Sequence, residues 1–215
     1  MLSRCAVFID FDNTITQFDV VDRLLERFAV NDAWRAFEAE WQAGRIGSQL
    51  CLERQLACVN VTARDLKSFL VAVPLDSHFK RLLALCRRHG VPPVIVSDGF
   101  ASFIRAILEA HRVTGLTVHA NEVQLAGQRL VPSFPYVDGC PRCAHCKKLH
   151  VLQGRAAGRI TVYIGDGLSD VCPAQHADLV FAKASLLEAC RASHIPCVPF
   201  TTLGDVHDYF TVTQP

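Results

Sequence analysis

Three segments of the chain end apolar runs with residues that could do chemistry together: Asp10-Phe11-Asp12-Asn13-Thr14, Ser97-Asp98-Gly99, and Gly165-Asp166-Gly167-Leu168-Ser169-Asp170. Two carboxylates from the first and one or two from the last would repel one another at a single point unless a cation joined them. Mg2+ fits such a place, because it takes hard oxygen ligands and keeps other positions for water or a substrate phosphate. Each piece alone is also an ordinary turn sequence, since Asp-x-Asp and Gly-Asp-Gly both suit strand ends. Their number and order make the constellation.

The elements that must position these residues follow from periodicity. Cys5 to Ile9, Val94 to Ser97 and Ile160 to Ile164 are short apolar runs of the kind buried on both faces of a parallel sheet. In such a sheet ligands bind beyond the carboxyl ends of the strands, where all three segments lie. From Val20 to Val73 the pattern is helical, with Val20, Val21, Leu24, Leu25 and Phe28 in one stripe and Trp34, Phe37 and Trp41 at helix spacing, read as packing residues. A helix over His78–His89 stops at Gly90, and another covers about Ala101 to His111. Val118 to Val131 reads as a hairpin turning near Gly127, Pro132 to Gly139 as a loop, and a helix runs on to about Gln153. Helices near Ser169–His176 and Ser185–Ser193 then alternate with short strands at Leu179–Ala182 and Cys197–Phe200. The predicted fold is α/β, a Rossmann-like parallel sheet core (1–18 and 75–215) with an inserted helical cap (19–74) and a small β-hairpin.

With 215 residues, 50% of them hydrophobic and 20% charged, the chain can bury a large single core. A net charge of +1 offers no general attraction for nucleic acid, and no run approaches the ~18 apolar residues of a membrane span. The apolar run after Arg4 stops at Asp10, too short for an export signal, so a cytoplasmic protein, monomer or homodimer, is expected. Seven of ten cysteines are scattered through apolar segments as small hydrophobes. The others, Cys140, Cys143 and Cys146, have the Cys-x-x-Cys spacing of zinc sites, with His150 as a possible fourth ligand. Bound Zn2+, reduced thiols and redox control all remain open, and a neighbouring lysine would lower the thiol pKa values.

Asp10-Phe11-Asp12-Asn13-Thr14, Ser97, the lysine after the cysteines and Gly165-Asp166-Gly167 with Asp170, taken in this order, resemble the four motifs of the haloacid dehalogenase (HAD) superfamily of aspartate-nucleophile phosphatases. The resemblance implies that Asp10 attacks phosphorus, that Asp12 is the general acid and base, and that Thr14 supports the turn near the phosphate. Ser97, Asp98, Gly99 and Lys147, with Lys148 as the alternative lysine, would bind the phosphoryl group. Asp10, Asp12 and Asp166 would hold Mg2+, with Asp170 behind them. Asp19 stands where similar phosphoserine phosphatases carry an acidic residue. Asp22 reads as part of a solvated helix face, while Arg45 or Arg54 could meet an anionic group. Within the superfamily the chain is similar to the phosphoserine-phosphatase-like subgroup, which includes methionine-salvage 2-hydroxy-3-keto-5-methylthiopentenyl-1-phosphate phosphatases and phosphatases of phosphocholine, phosphoethanolamine and pyridoxal phosphate. A phosphomonoester hydrolase of a small metabolite is therefore expected. A phosphotransferase to an alcohol and a non-catalytic phosphate- or zinc-binding protein are the alternatives.

Overall fold

The computed structural model describes residues 2–136 and 140–212. A short 3-10 turn at Leu2–Arg4 leads into β1 (Cys5–Ile9), followed by four helices, α1 (Val20–Phe28), α2 (Ala33–Gln42), α3 (Ser48–Ala57) and α4 (Ala63–Val71). Then come α5 (Phe79–Arg88), β2 (Val94–Phe100), α6 (Ala101–Ala110) and the hairpin β3 (Val118–Ala126) and β4 (Arg129–Ser133). The last part holds α7 (Lys147–Ala156), β5 (Ile160–Gly165), α8 (Val171–Ala174), β6 (Leu179–Ala182), α9 (Ala184–Ala192), β7 (Val198–Pro199) and α10 (Leu203–Val212).

The seven strands form one sheet in the order β4-β3-β2-β1-β5-β6-β7, parallel except that β4 runs against β3. Sequence order reverses about β1, so the crevice at its carboxyl end is the switch point where such sheets bind ligands. The apolar runs are buried as their composition requires: Val7, Ile9, Ile95, Val162 and Ile164 are all 2% exposed or less. Helix α7 lies close on the sheet above Phe8 and Tyr163, and a Cβ at Gly154 would come within 3.1 Å of Phe8 and Thr161. Glycine inside that helix therefore has a packing reason despite its low helix propensity.

The hairpin continues the main sheet through β2–β3 pairing. Three details depart from the reading of the sequence. The helix expected near Ser169–His176 is a 3-10 turn at Leu168–Asp170 followed by the single turn α8, with Pro173 inside it. Helix α10, which the sequence reading did not assign, begins where the backbone N–H groups of Thr201 and Thr202 donate to Asp205 Oδ2. It packs Leu203, Val206 and Phe210 inward, beside α5. In the expected loop Pro132–Gly139, Pro132 and Ser133 belong to β4, and residues 137–139 lie outside the described residues. No helix among the described residues is long and apolar enough to cross a membrane.

Candidate active site

The carboxyl ends of β1 and β5 bring Asp10 and Asp166 together, Ser97 joins them from within β2, which runs past the expected end at Ser97 to Phe100, and Lys147 arrives there as the first residue of α7. Lys147 is 2% exposed. Its ammonium donates to Asp10 Oδ1 at 2.7 Å, to Asp170 Oδ1 at 2.7 Å and to Ser169 Oγ at 3.1 Å. Burial alone would lower its pKa, but Asp10 and Asp170 outweigh that and hold it protonated. Lys147 lines the cavity and Lys148 does not.

Asp170 is engaged on both oxygens. Oδ1 accepts from Lys147 and from Tyr163 Oη at 2.6 Å, and Oδ2 accepts from the backbone N–H of Asp166 at 3.0 Å and of Gly167 at 3.1 Å. This approach depends on Gly165, because a Cβ there would overlap the Asp170 carboxylate. Thr14 is fully buried and donates to Asp166 Oδ1 at 2.9 Å. It thus orients a carboxylate and does not line the cavity.

Asp10, Asp166 and Asp170 offer oxygens within 4.8 Å of one another, which is the one such group of three potential ligands among the described residues. Burial raises Asp10 well above its ordinary value, against the pull of Lys147, and Asp170, Asp166 and Asp12 push the same way. Asp166 is pushed up to about 7 by burial, with Asp170 adding. Three buried carboxylates facing one ammonium are short of positive charge, and their all-oxygen character fits Mg2+. The four donors already bound to Asp170 leave Asp10 and Asp166 as the carboxylates free to face a cation.

The Asp12 carboxylate is turned away from this group. Its Oδ1 accepts from the first helical N–H of α1, Val20, at 2.9 Å, and Ser97 Oγ donates to its Oδ2 at 3.4 Å. Burial, and then Asp19, raise its pKa well above its ordinary value. Asn13, next to it, has φ +54°, a left-handed conformation that Asn tolerates better than most residues, and this accounts for Asn at that turn. Gly99 N–H donates to Ser97 Oγ at 2.9 Å. Asp98 lines the cavity with its Oδ1 buried and without a hydrogen-bond partner among the described residues, and a negative side chain there would repel phosphate.

The cavity above these residues measures about 490 Å³, and α1, α2 and α3 furnish its far wall. Asp19 lines it and is also the N-cap of α1, accepting from Asp22 N–H at 2.9 Å. Asp22, expected on a solvated face, lines the cavity too, and burial together with Asp19 and Glu38 pushes it up to about 7. Trp41, expected in packing alone, also lines the wall and donates to Ser48 Oγ at 2.9 Å. Glu38 and Gln55, which the sequence reading missed, join it with a hydrogen bond of 3.1 Å. Nothing local distinguishes them: only the way α2 packs on α3 turns them inward. Arg54 lies outside the cavity, exposed, paired with Glu40 at 3.3 Å and placed over Phe37. Arg45 is likewise exposed and outside it.

The zinc reading is corrected. Cys140 and Cys143 meet with sulfurs 3.6 Å apart, but no three of Cys140, Cys143, Cys146 and His150 converge on a common point. His150 is taken by His145, with Nε2 atoms 2.8 Å apart, and stacks on His119, while Cys146 is buried at the start of α7.

Residues 7–175 match the family of haloacid dehalogenase-like hydrolases. The chain is 28% identical to a 2-hydroxy-3-keto-5-methylthiopentenyl-1-phosphate phosphatase of Geobacillus thermodenitrificans, over 97% of this chain and 96% of that protein. It is 29% identical to a protein of the same name from Geobacillus kaustophilus, over 97% and 96%. Among solved structures, a phospho-aspartyl intermediate analogue of phosphoserine phosphatase superposes with a TM-score of 0.72 at 17% identity, covering 96% of this chain and 98% of that one. A substrate-bound phosphoserine phosphatase superposes with a TM-score of 0.73 at 16% identity and the same coverage. With a match across most of its length and the site built at the strand ends, the chain belongs to the haloacid dehalogenase-like hydrolase family.

Proposed function

We propose that this hydrolase is a Mg2+-dependent phosphatase of a small metabolite that works through a phosphoryl group carried on Asp10. Its first candidate substrate is the methionine-salvage ketone phosphate for which its relatives are named. One observation carries the reading: the buried Lys147 ammonium ties Asp10 to Asp170 on the floor of a cavity that Asp12 and Ser97 also line.

Asp10 and Asp166 would hold the Mg2+, which when bound neutralises charge on the phosphoryl oxygens and on the carboxylates. Lys147 binds Asp10 Oδ1, so it keeps Oδ2 as the attacking oxygen and contributes positive charge beside the phosphoryl group. Asp12, held at the cavity between the Val20 N–H and Ser97 Oγ, gives a proton to the leaving oxygen, and the resulting carboxylate then takes a proton from the attacking water. Ser97 Oγ, fixed by the Gly99 N–H, donates to the phosphoryl group in place of its long contact to Asp12.

Residues 19–74 serve as a cap that excludes water from this chemistry. Its wall presents Asp22, Glu38, Gln55 and Trp41 and no basic side chain, which suits a leaving group without negative charge. The ketone phosphate meets that condition, and phosphoserine, with its carboxylate, does not.

The test is phosphate release with and without Mg2+ from the ketone phosphate, phosphocholine, phosphoethanolamine, pyridoxal phosphate, phosphoserine and sugar phosphates, with Asp10→Asn as control. One substrate well above the others, lost in the variant, is expected. Turnover undiminished in Asp10→Asn would overturn the nucleophile, and no release from any member would overturn the phosphatase.

A further inference from the structure

The cysteine segment does more than lead to Lys147. Pro141 and Arg142, between Cys140 and Cys143, form the seat of α3. The carbonyl of Arg142 accepts from both the backbone N–H and the hydroxyl of Ser48, the first residue of that helix, each at 3.0 Å. Gly47 lies so close to the Pro141 carbonyl that a Cβ there would overlap it, and the Arg142 guanidinium covers Gly44. Ser48 in turn receives the indole N–H of Trp41, whose ring lines the cavity. A continuous path of hydrogen bonds thus joins the turn between the two cysteines to the cavity wall.

The two sulfurs are 3.6 Å apart, and both residues are half-buried, so a small reagent can reach them. We propose that Cys140 and Cys143 are a reversible oxidative modification site, a dithiol that low-molecular-weight disulfides convert to an intramolecular disulfide, loosening the seat of α3 and with it the cavity wall. The Cys140 thiolate attacks one sulfur of the reagent RSSR, forming a mixed disulfide and releasing RS−. Cys143 then attacks Cys140 Sγ and expels the second RS−. The two thiol protons end on the two departing thiols, and two electrons pass from the cysteines to the reagent.

Burial raises the Cys140 thiol, but hydrogen bonds from the backbone N–H of Arg142 and Cys143, the bond shared with the Cys143 thiol, and Lys148 outweigh it, so the net shift is downward. That favours Cys140 as the attacking sulfur. Burial pushes Cys51 and Cys86 up to about 12 and raises Cys143 as well, with the Cys140 sulfur adding, so the second step rests on the 3.6 Å sulfur–sulfur contact and not on a ready Cys143 thiolate. The other close pair, Cys190 with Cys197, has Cys190 fully buried and pushed up to about 11 by burial, with Cys197 adding. Closing the Cys140–Cys143 contact to a bond of about 2.05 Å must draw the turn together. The turn's backbone is what Gly47 and Ser48 rest on.

The full chain is treated with oxidised glutathione, alkylated and mapped by peptide mass, with amide exchange followed in the peptide spanning Gly47–Cys51 and p-nitrophenyl phosphate hydrolysis followed in Mg2+. The expected result is a Cys140–Cys143 disulfide formed before any other, with about tenfold faster exchange in that peptide and a matching loss of rate, both reversed by dithiothreitol. Cys143→Ser is expected to stop at a mixed disulfide on Cys140. Formation of Cys190–Cys197 first, or a Cys140–Cys143 disulfide that leaves both exchange and rate unchanged, would overturn the proposal. Mapping and exchange use the native chain, so they decide the matter even if a variant fails to fold. A reduced enzyme without hydrolytic activity would count against the phosphatase reading, and exchange would still decide this one.

Discussion

Lys147 donates to Asp170 at the same 2.7 Å as to Asp10, so the lysine sits between two buried carboxylates of which only one faces the cation site. Asp170→Asn removes a charge from that pair but keeps a neutral acceptor. Breaking a buried pair costs about 3–5 kcal/mol, and the conservative change should fall at or below the lower end. The expected kinetic result is about a 10²-fold fall in kcat with little change in KM, because the loss is one of positioning. Gly165→Ala should reproduce it, since its Cβ lands on the same carboxylate. Steady-state kinetics and urea unfolding of both variants provide the check.

Gly99→Ala tests the Asp12 side. A Cβ at Gly99 would come within 2.8 Å of Asp12 Oδ2 and 3.0 Å of Ser97 Oγ, so both must move. Turnover should fall by about 10²-fold while the fold survives. Wild-type rates in that variant would show that neither oxygen needs its present place.

Mg2+ should stabilise the protein in the absence of substrate. At a hundredfold excess over Kd the gain is about 2.7 kcal/mol, read as a rise in Tm. Asp166→Asn should abolish that rise. An equal rise in wild type and variant would place the cation elsewhere.

The His145–His150 pair predicts acid sensitivity. Burial lowers His145 to about 3, with His150 and Lys147 adding, and lowers His150 to about 4, with His119 adding. A histidine with a depressed folded pKa stabilises the protein above its unfolded value of about 6.5, and that contribution is lost as pH falls toward the folded value. Between pH 7 and 5 the pair should cost on the order of 3 kcal/mol of stability. Urea midpoints for wild type and a His145→Gln/His150→Gln variant should therefore draw together as pH falls across that range. A gap that does not change with pH would mean that the two imidazoles are not buried neutral.

The cap wall makes opposite predictions for two residues. Arg54→Ala should leave kcat/KM within about twofold, because its exposed pair with Glu40 contributes little. Glu38→Gln should raise the KM of a neutral or cationic substrate and improve the use of phosphoserine relative to it. Kinetics of both variants on the two substrate types check the assignment.

Much of this site could be read from residue type alone. Asp10, Ser97 and Asp166 end apolar runs, and the burial that makes those runs strands also places their last residues at one edge of the sheet. The helical insertion was visible in the 3.6-residue pattern for the same reason, since an amphipathic stripe shows which face is covered. Periodicity does not show what a covered face meets. Thr14 turns to Asp166, Asp12 to the N-terminus of α1 and His150 to His145, and the packing of α2 on α3 turns Trp41, Glu38 and Gln55 to the cavity. The sequence by itself determined the α/β fold and the set of charged groups at the strand ends, because both depend on local burial and order along the chain. The tertiary structure alone decided which oxygens face one another, because contacts such as Thr14 with Asp166 and Lys147 with Asp10 join residues more than 130 positions apart.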